Sequence, residues 1–204
     1  LQMAAGLLMP TRGTVHHRGR AINTVNRDVG FVPQQAQLVP WKTLAQNVEL
    51  PLLLRGVATA ERRERVAAAL DTVGLSGFER YFPSQLSGGM QKRGSIARTL
   101  VYRPDVILMD EPFGALDAQT RLQMQELLLE VWERYRKTIL FITHDIDEAI
   151  LLSDTVHVMS PRPGRIKATL RVDLPRPRRV DQLTEPGFNA LKREIFGHIR
   201  SGRH

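Results

Sequence analysis

Runs of apolar residues alternate with amphipathic segments along the chain, and this alternation predicts strands and helices in turn. Two unbroken apolar runs, Val106–Met109 (VILM) and Thr138–Thr143 (TILFIT), are typical of parallel strands that are covered on both faces. The segment between them, Gln119–Lys137, has a strongly helical pattern. The three segments therefore predict a strand–helix–strand crossover within a parallel sheet.

The same patterns predict further elements on both sides of this crossover. Pro33 is expected to end a short strand that contains Val29, Phe31 and Val32. The other predicted elements are helices within Leu38–Leu54, Thr59–Val73, Ser87–Tyr102, Asp145–Leu152 and Phe188–Ile199, and a strand over Thr155–Met159.

The amino-acid composition limits the classes of protein to which this chain can belong. The 204 residues are 42% hydrophobic and 25% charged, which is typical of a globular domain, and the absence of cysteine excludes disulfides, thiolate metal sites and a cysteine nucleophile. No apolar run approaches the roughly 20 residues of a membrane-spanning helix, and no signal-peptide pattern is present, so we expect a cytoplasmic location. The net charge of +8 is compatible with a nucleic acid, an anionic membrane surface or a phosphorylated ligand as partner.

Two adjacent acids follow the predicted strand in the stretch VILMDEP. Asp110 and Glu111 would lie at the carboxyl end of a buried strand, where open parallel sheets bind ligands. Such a pair suits metal-assisted phosphoryl transfer, in which one acid holds Mg²⁺ through water and the other orients or deprotonates the attacking water. An acidic turn after a strand is the alternative.

Two consecutive glycines stand at the predicted start of a helix in LSGGMQKR. Bare N–H groups at Gly88 and Gly89, together with the Ser87 hydroxyl, would form a cradle for a phosphate group. The alternative is a serine cap followed by a flexible turn, which needs no ligand.

Two further polar residues close predicted strands. Gln34 ends the stretch VGFVPQ and is either a ligand to Mg²⁺ and water or an ordinary loop amide. His144 in ITHD is expected beside Glu111, where an imidazole could hydrogen-bond a terminal phosphate. A histidine with a purely structural role is the alternative.

Taken in this order, Gln34, LSGGMQ, VILMDEPFGALD and ITHD resemble the nucleotide-binding subunit of ABC transporters over nearly the whole chain. The resemblance implies a P-loop NTPase (RecA-like) α/β fold with a mainly parallel sheet, three α/β/α layers and an inserted helical subdomain. It divides the chain into an α/β core at 1–37 and 103–160, a helical subdomain at 38–102 and a basic C-terminal tail at 161–204.

The resemblance also implies a role for each motif, with ATP and Mg²⁺ as ligands of a head-to-tail dimer. ATP is then clamped between one subunit's phosphate loop and the other's signature sequence. The implied residues are Ser87, Gly88, Gly89 and Gln91 for the signature that binds ATP in trans, Asp110 and Gln34 for Mg²⁺, Glu111 as catalytic base, His144 as switch histidine, Gln34 as the Q-loop residue, and Ala115, Leu116 and Asp117 for the D-loop.

The stretches LVPWKTLAQNV, SPRPGRI and DLPRPR are similar to ATPase subunits of bacterial nitrate, sulfonate and taurine importers. This similarity implies a membrane permease and a second ATPase subunit as partners, with a periplasmic or lipid-anchored solute-binding protein as an indirect partner and no nucleic acid. It also implies a peripheral location on the cytoplasmic face of the inner membrane. Trp41 is a candidate contact with the permease, and packing inside the helical subdomain is its alternative. The rival functions are an ABC ATPase of DNA repair or translation, and a partner subunit that does not hydrolyse ATP.

One part of the family pattern is missing, because neither G-x-x-x-x-G-K-[ST] nor any Gly-Lys dipeptide occurs in the 204 residues. The opening LQMAAGLLMP resembles the helix that follows this loop in the family. We therefore expect a chain that begins inside a domain, with a core-facing helix at its start, and that neither binds ATP tightly nor hydrolyses it alone. The basic stretch Arg162–Arg179 is expected to be a solvated segment near an anionic membrane surface.

Overall fold

The computed structural model describes residues 1–114 and 116–200 of the chain. The strands are β1 (His16–His17), β2 (Arg20–Ala21), β3 (Val29–Val32), β4 (Val106–Asp110), β5 (Thr138–Ile142), β6 (Thr155–Met159) and β7 (Ile166–Arg171). The helices are α1 (Leu44–Leu53), α2 (Thr59–Thr72), α3 (Gly88–Leu100), α4 (Ala118–Tyr135), α5 (Ile146–Leu152) and α6 (Pro186–Arg200), with 3₁₀ turns at Pro83–Gln85 and Val180–Thr184. The residues form two compact units, the first from Leu1–Thr120 with Arg136–Ile142 and the second from Arg121–Tyr135 with the described residues from Thr143 onward.

A parallel sheet in the order β3-β4-β5 lies in the first unit. The central strand β4 buries Ile107, Leu108 and Met109, as its apolar run predicts. The expectation that β5 is also covered on both faces is wrong, because Leu140 and Ile142 are 47% and 43% exposed. Within the described ranges β5 pairs with β4 alone, so it is an edge strand of this sheet.

Helices α1, α2 and α3 pack against one another in the first unit. A capping box begins α1, in which Thr43 and Gln46 each accept a hydrogen bond from the other's backbone N–H. The side chains buried among these helices include Leu44, Leu52, Leu70 and Ile96. Burying a side chain of this size contributes about 1.5–3 kcal/mol, so this packing is what stabilises the three helices.

The opening stretch LQMAAGLLMP forms one helical turn and not the expected helix. Ala5 N donates to Leu1 O at 3.0 Å, and Gly6 then ends the turn with a φ of 69°. A Cβ at Gly6 would clash with the Thr24 carbonyl, so the position requires glycine. Ala5 packs against Val29, whereas Met3, Leu7, Leu8 and Met9 are exposed. The stretch is therefore core-facing only in its first turn.

The second unit is built around an antiparallel hairpin of β6 and β7, with α4, α5 and α6 contributing to its core. Its buried residues include Leu129, Ile150, Val158, Leu170 and Phe188. Strand β7 was not predicted, and it lies inside the segment that we expected to be solvated. The structure differs because Leu170 and Val172, on either side of the exposed Arg171, bury their side chains.

Two arginines of the basic stretch also have structural roles. The buried Arg178 guanidinium donates to the carbonyls of Ile150 and Leu151 at the end of α5, at 3.2 and 3.3 Å. Arg176 lies 3.7 Å from the Trp132 ring centroid and 2.8 Å from Asp154 Oδ1. These contacts fasten Arg176 and Arg178 to the second unit, so the prediction of a solvated segment is wrong for this part of the stretch. Its place near an anionic membrane surface remains a prediction.

The α/β class with a parallel sheet is confirmed, and all predicted helices except the opening one are present within a few residues of their expected bounds. The predicted division at residues 37, 102 and 160 remains a prediction, since the two compact units do not test it. None of the described helices combines the length and the apolar content that a membrane span needs.

Candidate functional site

The carboxyl ends of β3 and β4 bring the first two candidate residues together. Val32 pairs with Met109, and Gln34 and Glu111 each lie two residues beyond this pair. Gln34 Nε2 donates to Glu111 Oε2 at 3.0 Å. The structure therefore joins two residues that are separated by 77 positions in the sequence.

The backbone at Glu111 has an unusual conformation. Its φ of 39° lies in the left-handed region that residues other than glycine seldom adopt. Its N–H donates to Ile142 O at 2.9 Å, which fastens it to the end of β5. Strained residues of this kind concentrate at functional sites, where the surrounding structure holds them in place.

The start of α3 is open to solvent at Gly88, whereas Gly89 is half-buried. Ser87 caps the helix by accepting a hydrogen bond from Met90 N at 3.2 Å. A Cβ at Gly88 would meet nothing within 4 Å, whereas one at Gly89 would lie 2.8 Å from Thr120 Cγ2. The helix dipole and unpaired N–H groups at such an end favour an anion. Gln91 donates to Pro83 O and Leu86 O at 3.0 and 3.1 Å, contacts that hold the turn before the helix.

Lys92 is a buried residue that the sequence analysis did not single out. It is 4% exposed, and its Nζ donates to Pro33 O at 2.6 Å and to Gln34 O at 2.9 Å. Burial lowers the pKa of Lys92 to about 8, and attraction to Asp110 acts in the opposite direction. The only signal in the sequence was a basic residue directly after LSGGMQ, which is more often a solvated charge.

The predicted D-loop lies between β4 and α4. Ala115 is outside the described residues. Leu116 N donates to Phe113 O at 3.1 Å. Asp117 accepts hydrogen bonds from Thr120 Oγ1 at 2.7 Å and Thr120 N at 2.9 Å, and these bonds lower the pKa of Asp117. Asp117 therefore orders the first turn of α4.

His144 lies in the second unit, in the exposed loop between β5 and α5. Its expected place beside Glu111 remains a prediction. Asp145 follows it and caps α5 by accepting from Asp147 N at 2.8 Å and Glu148 N at 3.2 Å. The loop that carries His144 is thus closed by a well-formed helix cap.

Glu148 is a second residue that the sequence analysis missed. It is 3% exposed, and its carboxylate accepts hydrogen bonds from Thr143 Oγ1 at 2.6 Å and from Gln125 Nε2 at 3.3 Å. Burial raises the pKa of Glu148, and the charge of Asp145 raises it further, while the two hydrogen bonds act against both. Glu148 therefore connects both α4 and α5 to the residue before His144.

The segment after Gln34 presents Trp41 to solvent. The side chain is 76% exposed, so the alternative that Trp41 packs inside the helical region is wrong. The buried Asn47 shapes this segment, because its Nδ2 donates to Val39 O and Lys42 O, at 3.1 and 3.0 Å, while its Oδ1 accepts from Val39 N at 2.6 Å. These bonds fix the backbone on both sides of Trp41, whose ring projects into solvent.

The residues at the strand ends fit Mg²⁺ by the chemistry of their donors. Asp110 and Gln34 offer a carboxylate and an amide oxygen, which are hard ligands. The described residues contain no group of three or more His, Cys, Asp or Glu that could enclose a metal. Mg²⁺ keeps waters and shares its coordination with phosphates, so one or two protein oxygen ligands are enough to hold it.

Comparison with known proteins identifies the family. The family model described as ABC transporter matches residues 1–114, which carry Gln34, the signature sequence and the Asp110–Glu111 pair. The chain belongs to the ABC transporter family.

Several curated relatives support this membership over longer alignments. An uncharacterized ABC transporter ATP-binding protein of Methanocaldococcus jannaschii is 49% identical over 178 residues, covering 87% of this chain and 67% of the relative. The nitrate import ATP-binding protein NrtD of Synechocystis is 46% identical over 86% of this chain and 66% of the relative. The taurine import ATP-binding protein TauB of Rhizobium johnstonii is 46% identical over 98% of this chain and 79% of the relative.

A solved structure agrees with the fold of this ABC chain. It is a dimeric post-hydrolysis state of an ATP-binding cassette bound to ADP and phosphate, with a TM-score of 0.72 and 33% sequence identity. The match covers 84% of this chain and 78% of that one. The P-loop ATPase fold expected from the sequence is thereby confirmed.

Proposed function

We propose that this ABC chain is the ATP-binding and ATP-hydrolysing subunit of a bacterial importer for nitrate, a sulfonate, taurine or a similar small anion. The observation that carries the proposal is the hydrogen bond of 3.0 Å between Gln34 and Glu111 at the ends of neighbouring parallel strands. Similarity to the nitrate and taurine import proteins supports the class of solute.

In the proposed mechanism, Glu111 accepts a proton from the attacking water, and the Gln34 amide orients that water against the carboxylate. Asp110 and the Gln34 amide oxygen would hold Mg²⁺, which neutralises charge on the β- and γ-phosphates when it is bound. From the family resemblance alone, we also propose His144 as a hydrogen-bond donor to the terminal phosphate. Gln34 and Glu111 then serve the attacking water of one in-line displacement.

The signature sequence completes the site of a second copy. Ser87, Gly88 and Gly89 lie at an open helix start, and Gln91 holds the turn before it. Phosphate oxygens can approach the backbone N–H groups at Gly88 because no Cβ stands there. The dimeric state of the related cassette supports this arrangement. Leu116 and Asp117, with Ala115 before them, would lie along the dimer contact.

The proposed partners are a membrane permease, a second ATPase subunit and, indirectly, a solute-binding protein, on the cytoplasmic face of the inner membrane. The exposed Trp41 supports a permease contact, because a large aromatic side chain that projects into solvent is suited to an interface, and the buried Asn47 fixes the backbone on both sides of it.

Association and turnover test the proposal together. The gene product that carries this sequence is purified from its host membranes and assayed for Mg²⁺-dependent ATP hydrolysis. We expect a co-purifying permease and ATP turnover. Co-purification with ribosomes or DNA and no permease would overturn the importer function. Residues 1–204 alone contain no phosphate loop, so we expect no turnover from them, and measurable turnover would contradict that expectation.

A further inference from the structure

Side chains of α3 hold the loop that carries Gln34. Lys92 donates to the carbonyls of Pro33 and Gln34, and Arg98 Nη1 donates to Gln37 O at 2.7 Å. Gln34 itself is exposed, so side-chain packing does little to fix its position. The loop is instead fastened by cationic donors that bind its backbone from one helix.

Burying the charged side chain of Lys92 costs free energy. An ammonium group that leaves water costs several kcal/mol unless hydrogen bonds replace its hydration. Here two carbonyl oxygens at 2.6 and 2.9 Å supply those bonds, and the carboxylate of Asp110 supplies opposite charge. A neutral side chain would serve a merely structural contact, whereas a charged donor makes stronger and shorter bonds to both carbonyls.

The placement of these carbonyls matters for the candidate site. They belong to Pro33 and Gln34, and the side chain of Gln34 meets Glu111. Fixing the peptide units on both sides of the Gln34 Cα restricts where its amide can lie. A loop that is free to shift by about 1 Å would lose catalytic alignment.

We propose that Lys92 is a positioning residue for Gln34, which it holds against Glu111 through the carbonyls of Pro33 and Gln34. This inference rests on the proposed function, in which Gln34 and Glu111 act on the attacking water. Lys92 lies five residues after the Ser87 cap, about 7 Å along the same helix. Helix α3 therefore links the signature sequence at its start to the Gln34 loop, which Lys92 binds.

Hydrogen exchange tests the first half of this inference without nucleotide. Lys92→Met keeps an unbranched side chain as far as Cε and removes the ammonium group with its charge and donors. Amide exchange of residues 34–38 is expected to rise about tenfold or more, as loss of charge-assisted hydrogen bonds would allow. The matched control is Arg93→Met, because Arg93 Nη1 donates to Val73 O at 3.4 Å, away from the loop. This control should leave exchange of residues 34–38 unchanged.

A double-mutant cycle tests the second half, in ATPase assays of the gene product. If Lys92 acts through Gln34, Lys92→Met lowers kcat with little change in KM, and adding it to Gln34→Ala causes no further loss. Lys92→Arg keeps the charge and should recover part of the rate. Independent, multiplicative losses would overturn the inference, and so would faster exchange throughout α1, α2 and α3. Absence of ATPase activity in the wild type would overturn the proposed function instead, and the exchange experiment would still decide the role of Lys92 in the loop.

Discussion

Gln34 Nε2 lies 3.0 Å from Glu111 Oε2, and both residues stand two positions beyond the paired residues Val32 and Met109. Parallel pairing of β3 and β4 thus brings two motifs that are distant in the sequence into contact, because paired strands end at the same edge of the sheet. The unusual backbone of Glu111 supports the same contact, since its φ of 39° turns the chain at the strand end.

Glu111→Gln should abolish ATP turnover in the gene product and leave ATP binding intact. A glutamine has the same shape as Glu111 and can still bond Gln34, but it accepts no proton. Loss of a general base costs about 10²–10⁴-fold in rate. Turnover is measured by phosphate release and binding by equilibrium dialysis. Glu126→Gln makes the same change on an exposed part of α4 and should have no effect. Retained turnover in Glu111→Gln would exclude Glu111 as the base.

Gly88→Ala should separate function from folding. The added methyl would meet nothing within 4 Å, so the melting temperature should be unchanged or slightly raised. ATPase activity should nevertheless fall about tenfold or more, because the methyl occupies the space through which phosphate reaches the backbone. Gly197→Ala is the matched control, since its Cβ also meets nothing and lies in α6. Full activity of Gly88→Ala would show that no ligand approaches this helix start.

Gly30→Ala should destabilise the protein by about 1–3 kcal/mol, as overpacking of a close contact does. A Cβ at Gly30 would overlap Thr99 Cγ2 and lie 3.0 Å from Pro104 Cγ. Urea unfolding measures the loss. Thr99→Ser removes the overlapping methyl and keeps the hydroxyl, so it should restore part of the stability when combined with Gly30→Ala. A combined variant no more stable than Gly30→Ala alone would count against this contact as the cause.

Glu148→Gln should become more favourable to stability as the pH rises. Because burial raises the pKa of Glu148 above its usual 4.5, the folded state keeps the proton to a higher pH than the unfolded state does. In the wild type, the contribution of Glu148 to the free energy of unfolding is fully present below pH 4.5. It is lost as the pH rises through the raised pKa. Glutamine has no such dependence. Urea unfolding at several pH values measures the difference, and a constant difference would contradict the raised pKa.

The sequence predicted features that depend on neighbouring residues and missed those that depend on distant contacts. The run VILM could become β4 because every residue in it favours burial, and LSGG could begin α3 because Ser87 caps it locally. No local pattern marked Lys92 as buried, since its carbonyl partners lie 58 and 59 residues away. Its burial becomes visible only when the fold brings these partners together.

Distant contacts also decide the structure of strand β7 and of the opening stretch. Polar residues interrupt the apolar positions of β7, so the local sequence pattern does not predict a strand there. Its pairing with β6 makes this segment a strand. At the start of the chain, resemblance to the family predicted a helix, but Gly6 and its close approach to Thr24 end it after one turn.

The edge position of β5 has a consequence for handling the protein. Leu140 and Ile142 lie on an exposed face, and the outer side of this strand offers backbone donors and acceptors that another extended chain can pair with. Residues 1–204 should therefore self-associate as concentration rises, by adding strands at this edge. Leu140→Lys places a charge on the exposed face and should raise the concentration at which light scattering first increases. We therefore expect strand pairing at the β5 edge to set the highest concentration at which this polypeptide stays monomeric.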